Sequence, residues 1–350
     1  MSGRLKTLPR RVILTGDALE QLRQLPTASV DAVVTSPPYF RLRDYQVDGQ
    51  IGLEQHVVDW VRELRRVMAE VARVVKPTGS VWLNLGDSFS RHPRHGAARK
   101  SLLAAPERVL LGLIGDGWIV RSKVIWAKSN TMPSSVADRL SCRWEVVYLL
   151  TRSQHYYFDL DAIREPHRSK GRTDPSNRRY PPVNAMPPSW AGPLAGSNSG
   201  LARLKAEGKV GHPLGKNPGD VWQLAAGNFR GAHFASFPKA LITKPIVASV
   251  PERVCARCGL AWEREPARSV GHLAVLGQLR PACRCRKGWV PGVVLDPFFG
   301  AGTVGLVSEE HGRDWVGIEL NPEFVTLATE RITSARKGVM TKETNERRTA

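Results

Sequence analysis

No apolar run in this 350-residue chain approaches the ~20 residues that a membrane span needs. The opening segment, Met1 to Arg10, is basic but carries no apolar stretch, so no secretory leader is expected. Cysteine is scarce: there are five, four clustered and Cys142 apart, which excludes a disulfide scaffold and fits a reducing compartment. A cytoplasmic protein without a membrane partner is the expectation. Acidic residues are also in deficit. Against 51 Lys and Arg stand 32 Asp and Glu, giving a net charge of +19 and a pI near 10.2. Such an excess suits a polyanionic partner, because each phosphate contact releases a condensed counterion. It proposes nucleic acid and says nothing about what is done to it.

What the chain does have is strand alternating with helix. Arg11 to Thr15 is a β-branched run ending at Gly16-Asp17, and Leu19, Leu22 and Leu25 mark a helix over about 18–25. Val30 to Thr35 is a mainly apolar run, as in a strand buried on both faces. Helical spacing returns over 54–75 and stops at Lys76-Pro77-Thr78-Gly79. Ser80–Leu85, Ile119–Trp126, Glu145–Leu150, Val293–Asp296 and Trp315–Glu319 are further strands, with helices from Thr303 and over Pro322 to about Arg336. This alternation predicts a doubly wound α/β sheet. Between Arg164 and Lys216 the character changes: ten Lys and Arg against three Asp and Glu, among Pro, Gly, Ser and Asn. So long an irregular stretch is more than a linker. With Tyr180, Trp190 and Trp222 nearby it reads as a nucleic-acid contact, disorder being the competing reading. Lys337 to Ala350 is polar and expected to be irregular.

Three groups of residues carry chemistry. Thr35-Ser36-Pro37-Pro38-Tyr39 closes a buried strand, at the end where open α/β sheets hold ligands. Its two prolines fix φ and stiffen the loop. In isolation it would be no more than a Pro-Pro turn. Far downstream, Asp296-Pro-Phe298-Phe-Gly300-Ala-Gly302-Thr303 follows a strand and opens a helix, so its backbone can approach a ligand closely. Gly300, Gly302 and Gly305 also have dinucleotide-loop spacing, but the Asp-Pro-Phe opening sets this loop apart. Glu319 ends the next strand, placed for ribose hydroxyls. The third group is Cys255-x-x-Cys258 with Cys283-x-Cys285, which suits a tetrahedral structural Zn²⁺, with His272 as a substitute ligand. Unpaired surface thiols are the plain alternative. Nothing indicates a catalytic metal.

In this order, target-type loop first and glycine loop last, the chain resembles the permuted (β-group) family of amino-directed DNA methyltransferases over most of 11–333. The resemblance includes Gly16-Asp17, Asp31, Lys76-Pro-x-Gly79, Asn84-Leu-Gly86-Asp87, Trp126-x-Lys128-x-Asn130-x-Met-Pro133 with Arg139 and Glu145, and His233-Phe-Ala-Ser-Phe237-Pro238. Trp144 and Phe234 depart from it, where relatives often carry His and Pro. It implies a Rossmann-like, circularly permuted sheet that binds S-adenosylmethionine (AdoMet), with an irregular basic insertion and a small zinc-ribbon-like insertion. The implied layout is a catalytic half over 11–158, a target-recognition region over 159–232 and an AdoMet-binding half over 233–254 and 290–336. The zinc-ribbon-like insertion covers 255–289 and a disordered tail 337–350.

By the same resemblance Asp17 contacts the cofactor's adenine and Glu319 its ribose. Thr35, Phe237, Pro238, Asp296, Phe298, Gly300, Gly302, Thr303 and Asn321 complete that site. Ser36, Pro37, Pro38 and Tyr39 hold the target amine. An exocyclic amine is a poor nucleophile because its lone pair is delocalised into the ring. Acceptors at the Ser36 hydroxyl and the Pro37 carbonyl favour a pyramidal nitrogen, and Tyr39 stacks on a base rotated out of the duplex. Ser at the head of the loop resembles N4-cytosine enzymes; Asp or Asn is more usual for N6-adenine. The expectation is site-specific methylation of cytosine N4 in double-stranded DNA, with N6-adenine as the alternative. AdoMet, a structural Zn²⁺ and a cognate restriction endonuclease outside any stable complex go with it. RNA and protein-glutamine enzymes usually reverse the loop order. Methylation at cytosine C5 needs a cysteine nucleophile, and none lies in the target loop. A non-catalytic, zinc-containing DNA-binding protein is the rival of another class, opposed by intact Ser36, Asp296 and Glu319.

Overall fold

A computed structural model describes residue 5 and residues 7–131, 133–166, 212–227, 237–270 and 273–349. Most of the expected target-recognition region (167–211 and 228–232), the run His233 to Ser236 and His272 lie outside the described residues. Two compact units form: 1–159, 219–263 and 279–350 make the first, 160–218 and 264–278 the second.

The first unit is a mixed α/β fold around one sheet. In chain order it contains β1 (Val12–Thr15), α1 (Ala18–Gln24), β2 (Val30–Thr35), α2 (Val57–Val74), β3 (Val75–Leu85) and α3 (Ala105–Gly115). It continues with β4 (Ile119–Lys128), β5 (Trp144–Thr151), β6 (Val221–Leu224) and α4 (Lys239–Ser249). It closes with β7 (Val293–Asp296), α5 (Thr303–Glu310), β8 (Asp314–Glu319) and α6 (Pro322–Thr349). The strand order is β1-β8-β7-β2-β3-β5-β4-β6. All neighbours are parallel except β5, which runs antiparallel to β3 and β4.

Helices cover both faces, and β2 shows why. From Ala32 onward its side chains alternate, Val33 packing beneath α1, α2 and α3 while Ala32 and Val34 pack beneath α4, α5 and α6; Val30, before the bulge at Asp31, joins the first set. A strand covered on both faces needs apolar residues on both, as Val30, Ala32, Val33 and Val34 provide, while its buried polar members are paired: Asp31 with Lys76 and Thr35 with Asp296. The largest helical stripe belongs to α2, where Trp60, Leu64, Val67, Met68, Val71 and Val74 are buried at three- and four-residue spacing. Each such side chain contributes about 1.5–3 kcal/mol by leaving water, so the stripe decides which way α2 faces.

Five expectations change. Lys76 to Gly79 ends α2 as foreseen but belongs to β3; it bulges opposite Asp31, the register passing from Val30–Val75 to Ala32–Ser80. Helix α3 was not foreseen. Helix α4 is disguised by Pro245 within it, although Leu241, Ile242 and Ile246 keep a helical apolar stripe. Strand β6 lies in what reads as loop: four residues are too few to show alternation, with Trp222 buried and Val221 exposed. Helix α6 continues to Thr349 instead of giving way to an irregular tail at 337, through residues rich in the helix formers Lys, Glu and Arg.

In the second unit, Arg164 pairs with Asp161 at 2.7 Å and Glu165 bridges Lys216. Arg268–Val270 and Leu273–Val275 form an antiparallel hairpin. The stretch 255–289, expected as one insertion, is thus divided, with 264–278 in the second unit and both cysteine pairs in the first.

Candidate active site

The parallel strands β1, β8, β7, β2 and β3 all end at one edge of the sheet. There they deliver Thr15-Gly16-Asp17, Glu319, Asp296, Thr35-Ser36 and Asn84 side by side. Because β5 runs the other way, it brings its first residues to the same edge, and Glu145 arrives there. Lys128 ends β4 beside it. A cavity of about 610 Å³ opens along this edge.

At the glycine loop, Asp296 is 1% exposed and its Oδ1 accepts from Thr35 Oγ1 at 2.7 Å and from Phe298 N at 3.0 Å. Burial pushes its carboxyl up to about 7, against the pull of those donors. Glu319 has both oxygens anchored, Oε2 by Gly300 N at 2.7 Å and Oε1 by Asn321 N at 2.8 Å. Burial raises its pKa too, partly offset by the same amides. Gly302 begins α5 with φ +75, and a Cβ there would come within 2.9 Å of the Ala328 methyl, so both conformation and space require glycine. Asp17 caps α1, accepting from Glu20 N at 2.9 Å.

Of the expected cofactor residues, Asp17, Phe237, Asp296, Phe298, Gly300, Thr303, Glu319 and Asn321 line the cavity. Thr35, Pro238 and Gly302 do not. Thr35 holds Asp296 from behind, Gly302 turns the loop, and Pro238 stands just before α4. Tyr45 and Phe324, packed edge to face at 6.1 Å, also line the cavity and were not singled out by sequence.

Ser36, Pro37, Pro38 and Tyr39 line the same cavity, together with Asn84, Trp126, Lys128 and Glu145. The loop is held from behind by the Trp60 indole, which donates to the Pro38 carbonyl at 2.9 Å. Tyr39 donates its hydroxyl proton to Glu145 Oε2 at 2.6 Å. Asn84 Nδ2 donates to Tyr39 Oη at 2.7 Å and to Glu145 Oε2 at 2.9 Å, and lies 3.3 Å from Ser36 Oγ. Ser36 Oγ lies 3.1 Å from Tyr39 Oη. Lys128 closes the network with an ion pair to Glu145 Oε1 while lying over the Trp126 ring. Burial, then the Glu145 charge, raises the Tyr39 phenol well above its ordinary range, so it stays protonated. Gly86 explains why the Asn84-Leu-Gly run has that form: a Cβ at 86 would lie 2.6 Å from the Tyr39 ring. Asp87 in the same run is turned away to cap α3 through the amides of Ala104 and Ala105. That Asn84, Lys128 and Glu145 meet Tyr39 was not legible, since nothing local in the sequence records that β5 is reversed.

The four cysteines also come together. Sγ atoms of Cys255, Cys258, Cys283 and Cys285 all lie within 4.8 Å of one another, and none forms a disulfide. Tetrahedral zinc with bonds of about 2.3 Å would set its sulfurs roughly 3.8 Å apart, so the group needs only slight contraction. Backbone amides of Cys258 and Arg257 donate to Cys255 and lower its thiol to about 6. Lys76 joins this knuckle to the sheet, bonding the Gly259 carbonyl at 3.2 Å and Asp31 at 2.5 Å.

Comparison with known proteins agrees with this arrangement. A family model described as DNA methylase, covering N6 and N4 enzymes, matches residues 30–330. The chain is 33% identical to the Type II methyltransferase M.Cfr9I of Citrobacter freundii, over 91% of this chain and 87% of that protein. Among solved structures, the fold is similar to the cytosine-N4-specific PvuII DNA methyltransferase, with a TM-score of 0.55 and 18% identity, covering 96% of this chain and 94% of that one. It is also similar to TTHA0409 of Thermus thermophilus, solved with S-adenosyl-L-methionine, with a TM-score of 0.50 and 21% identity, covering 92% and 95%. The chain belongs to the N6/N4 DNA methylase family.

Proposed function

We propose that this DNA methyltransferase moves the methyl group of AdoMet to the exocyclic N4 amine of cytosine within a specific word of double-stranded DNA. The observation that carries the reading is that Ser36 and Tyr39 share one cavity with Asp17, Asp296 and Glu319. The residues fit the cofactor chemically. Glu319 keeps lone pairs for two ribose hydroxyls while its carboxylate is fixed by Gly300 and Asn321. Asp17 serves the adenine end, and Phe298, Thr303 and the Gly300 backbone complete that wall. Asp296, buried and held by Thr35, favours a positive group nearby. Phe237, with Pro238 behind it before α4, covers the methionine end. AdoMet, when bound, supplies an electrophilic methyl on a sulfonium.

The target side does the rest. Ser36 Oγ and the Pro37 carbonyl accept the two amine hydrogens and turn the nitrogen lone pair toward the methyl, and Tyr39 offers its ring to the flipped base. A serine at the head of the loop, with no carboxylate there, is the feature that favours N4-cytosine. The basic region 159–232 reads the DNA word, with a cognate restriction endonuclease cutting the same word. The four-cysteine group holds a structural zinc, supported by the proximity of its sulfurs.

Nucleoside mass spectrometry, after incubating DNA with the protein and AdoMet carrying a labelled methyl, tests the reading. Sequencing the product gives the word. Labelled N4-methylcytosine supports it. N6-methyladenine overturns the choice of base, and no labelled nucleoside from varied DNA overturns the function.

A further inference from the structure

The hydrogen bonds around Tyr39 have a direction, and that direction is fixed from one end. Glu145, ion-paired with Lys128, is a carboxylate and can only accept. At 2.6 Å it takes the single proton of Tyr39. Tyr39 Oη therefore has none left for Ser36, so in the 3.1 Å contact between them Ser36 is the donor. The one Ser36 proton is spent inward, and the side of Oγ facing the cavity carries a lone pair. Asn84 obeys the same rule. Its amide turns both N–H groups onto Tyr39, Glu145 and Ser36, which leaves Oδ1 buried without a partner among the described residues. A buried acceptor without a partner is unfavourable, so the orientation is not one the amide would take by itself. The carboxylate imposes it.

We propose that Glu145, acting through Tyr39, fixes Ser36 as a hydrogen-bond acceptor and so makes the pocket select a base carrying an amino group over its keto counterpart. Cytosine presents N–H at position 4, where uracil presents a carbonyl oxygen that would face the Ser36 lone pair. Glu145 is thus a positioning residue that determines specificity without touching the base. The inference rests on the reading that Ser36 meets the target amine.

The variant Glu145→Gln tests it. A neutral amide can donate to Tyr39 Oη. Tyr39 can then donate to Ser36, and Ser36 can turn its own proton into the cavity. The measurement is binding to duplexes bearing the modified word, in the presence of S-adenosylhomocysteine so that nothing turns over. One duplex carries dC at the target and the other dU; a second pair carries dA and deoxyinosine. A mismatch also eases base flipping, but equally for both proteins, so the ratio of the two affinities is compared between wild type and variant.

The dU-to-dC affinity ratio is expected to rise by about tenfold or more in Glu145→Gln. A ratio unchanged in both pairs, in a variant that melts as the wild type does and binds S-adenosylhomocysteine normally, overturns the proposal. Should Glu145→Gln fail to fold, Tyr39→Phe removes the intermediate oxygen and is expected to raise the ratio in the same direction; no rise there overturns it too. A deoxyinosine-to-dA ratio that rises in the variant while the dU-to-dC ratio does not refutes the cytosine reading and leaves this one standing.

Discussion

Tyr39 and Glu145 stand 106 residues apart in the chain and meet at 2.6 Å, the phenol donating to the carboxylate. One belongs to the loop after β2 and the other opens a strand that runs against its neighbours, so the Tyr39 side of the cavity depends on β5 being reversed.

Ser36→Ala and Tyr39→Phe each remove one member of this network without opening the glycine loop. Turnover is expected to fall by about 10–100-fold, the range for losing a hydrogen bond in an organised site, while AdoMet affinity stays within twofold. Steady-state methylation alongside calorimetry checks this, and unchanged turnover in both variants would remove the loop from the chemistry.

Gly86→Ala probes the same side from behind. Its Cβ would sit 2.6 Å from the Tyr39 ring, which has to move. The expected outcome is a variant with near-normal AdoMet affinity and much reduced kcat. Equal kcat in the two proteins would mean that Tyr39 tolerates displacement.

Asp296 is expected to make AdoMet binding depend on pH. Its folded-state value of about 7 lies above the ordinary 3.8, so the proton is held more tightly in the fold than in the unfolded chain. The stability this contributes is complete below about pH 4 and is lost as pH rises through about 7. A cation needs the ionised form, so AdoMet affinity moves the opposite way, rising about tenfold between pH 6 and pH 8. Asp296→Asn should flatten both trends, as calorimetry and thermal melts at the two pH values would record. A wild-type affinity independent of pH counts against a cation beside Asp296.

Zinc should be found at about one equivalent by elemental analysis of protein purified without chelator. Cys258→Ser and prolonged chelation should both lower that content and the melting temperature. Metal-free protein that melts at the same temperature would show the cysteines to be idle.

The sequence exposes those parts of the site whose signal is local. Ser36-Pro37-Pro38-Tyr39 and Asp296 to Thr303 are short runs at strand ends, and a strand end can be recognised from its own few residues. Asn84, Lys128 and Glu145 line the same cavity, yet their meeting depends on strand direction and register, which no local run encodes. The fold follows the same division. Helix α2 and strand β2 are long or uniform enough to read directly. Strand β6, at four residues, and α4, with Pro245 inside it, owe their form to the sheet they pack on.

The strand order also sets a timetable for biosynthesis. Strands β7 and β8 are the last to be made, and they insert between β1 and β2, which are the first. While the ribosome is still short of residue 293, β1 has no neighbour in the sheet and β2 has one unpaired edge. Exposed apolar edges of this kind recruit other chains, so the nascent protein is most vulnerable to aggregation late in translation. A transcript cut short before Glu319 yields an incomplete sheet and no modification activity, so a partly made methyltransferase leaves its DNA unmarked.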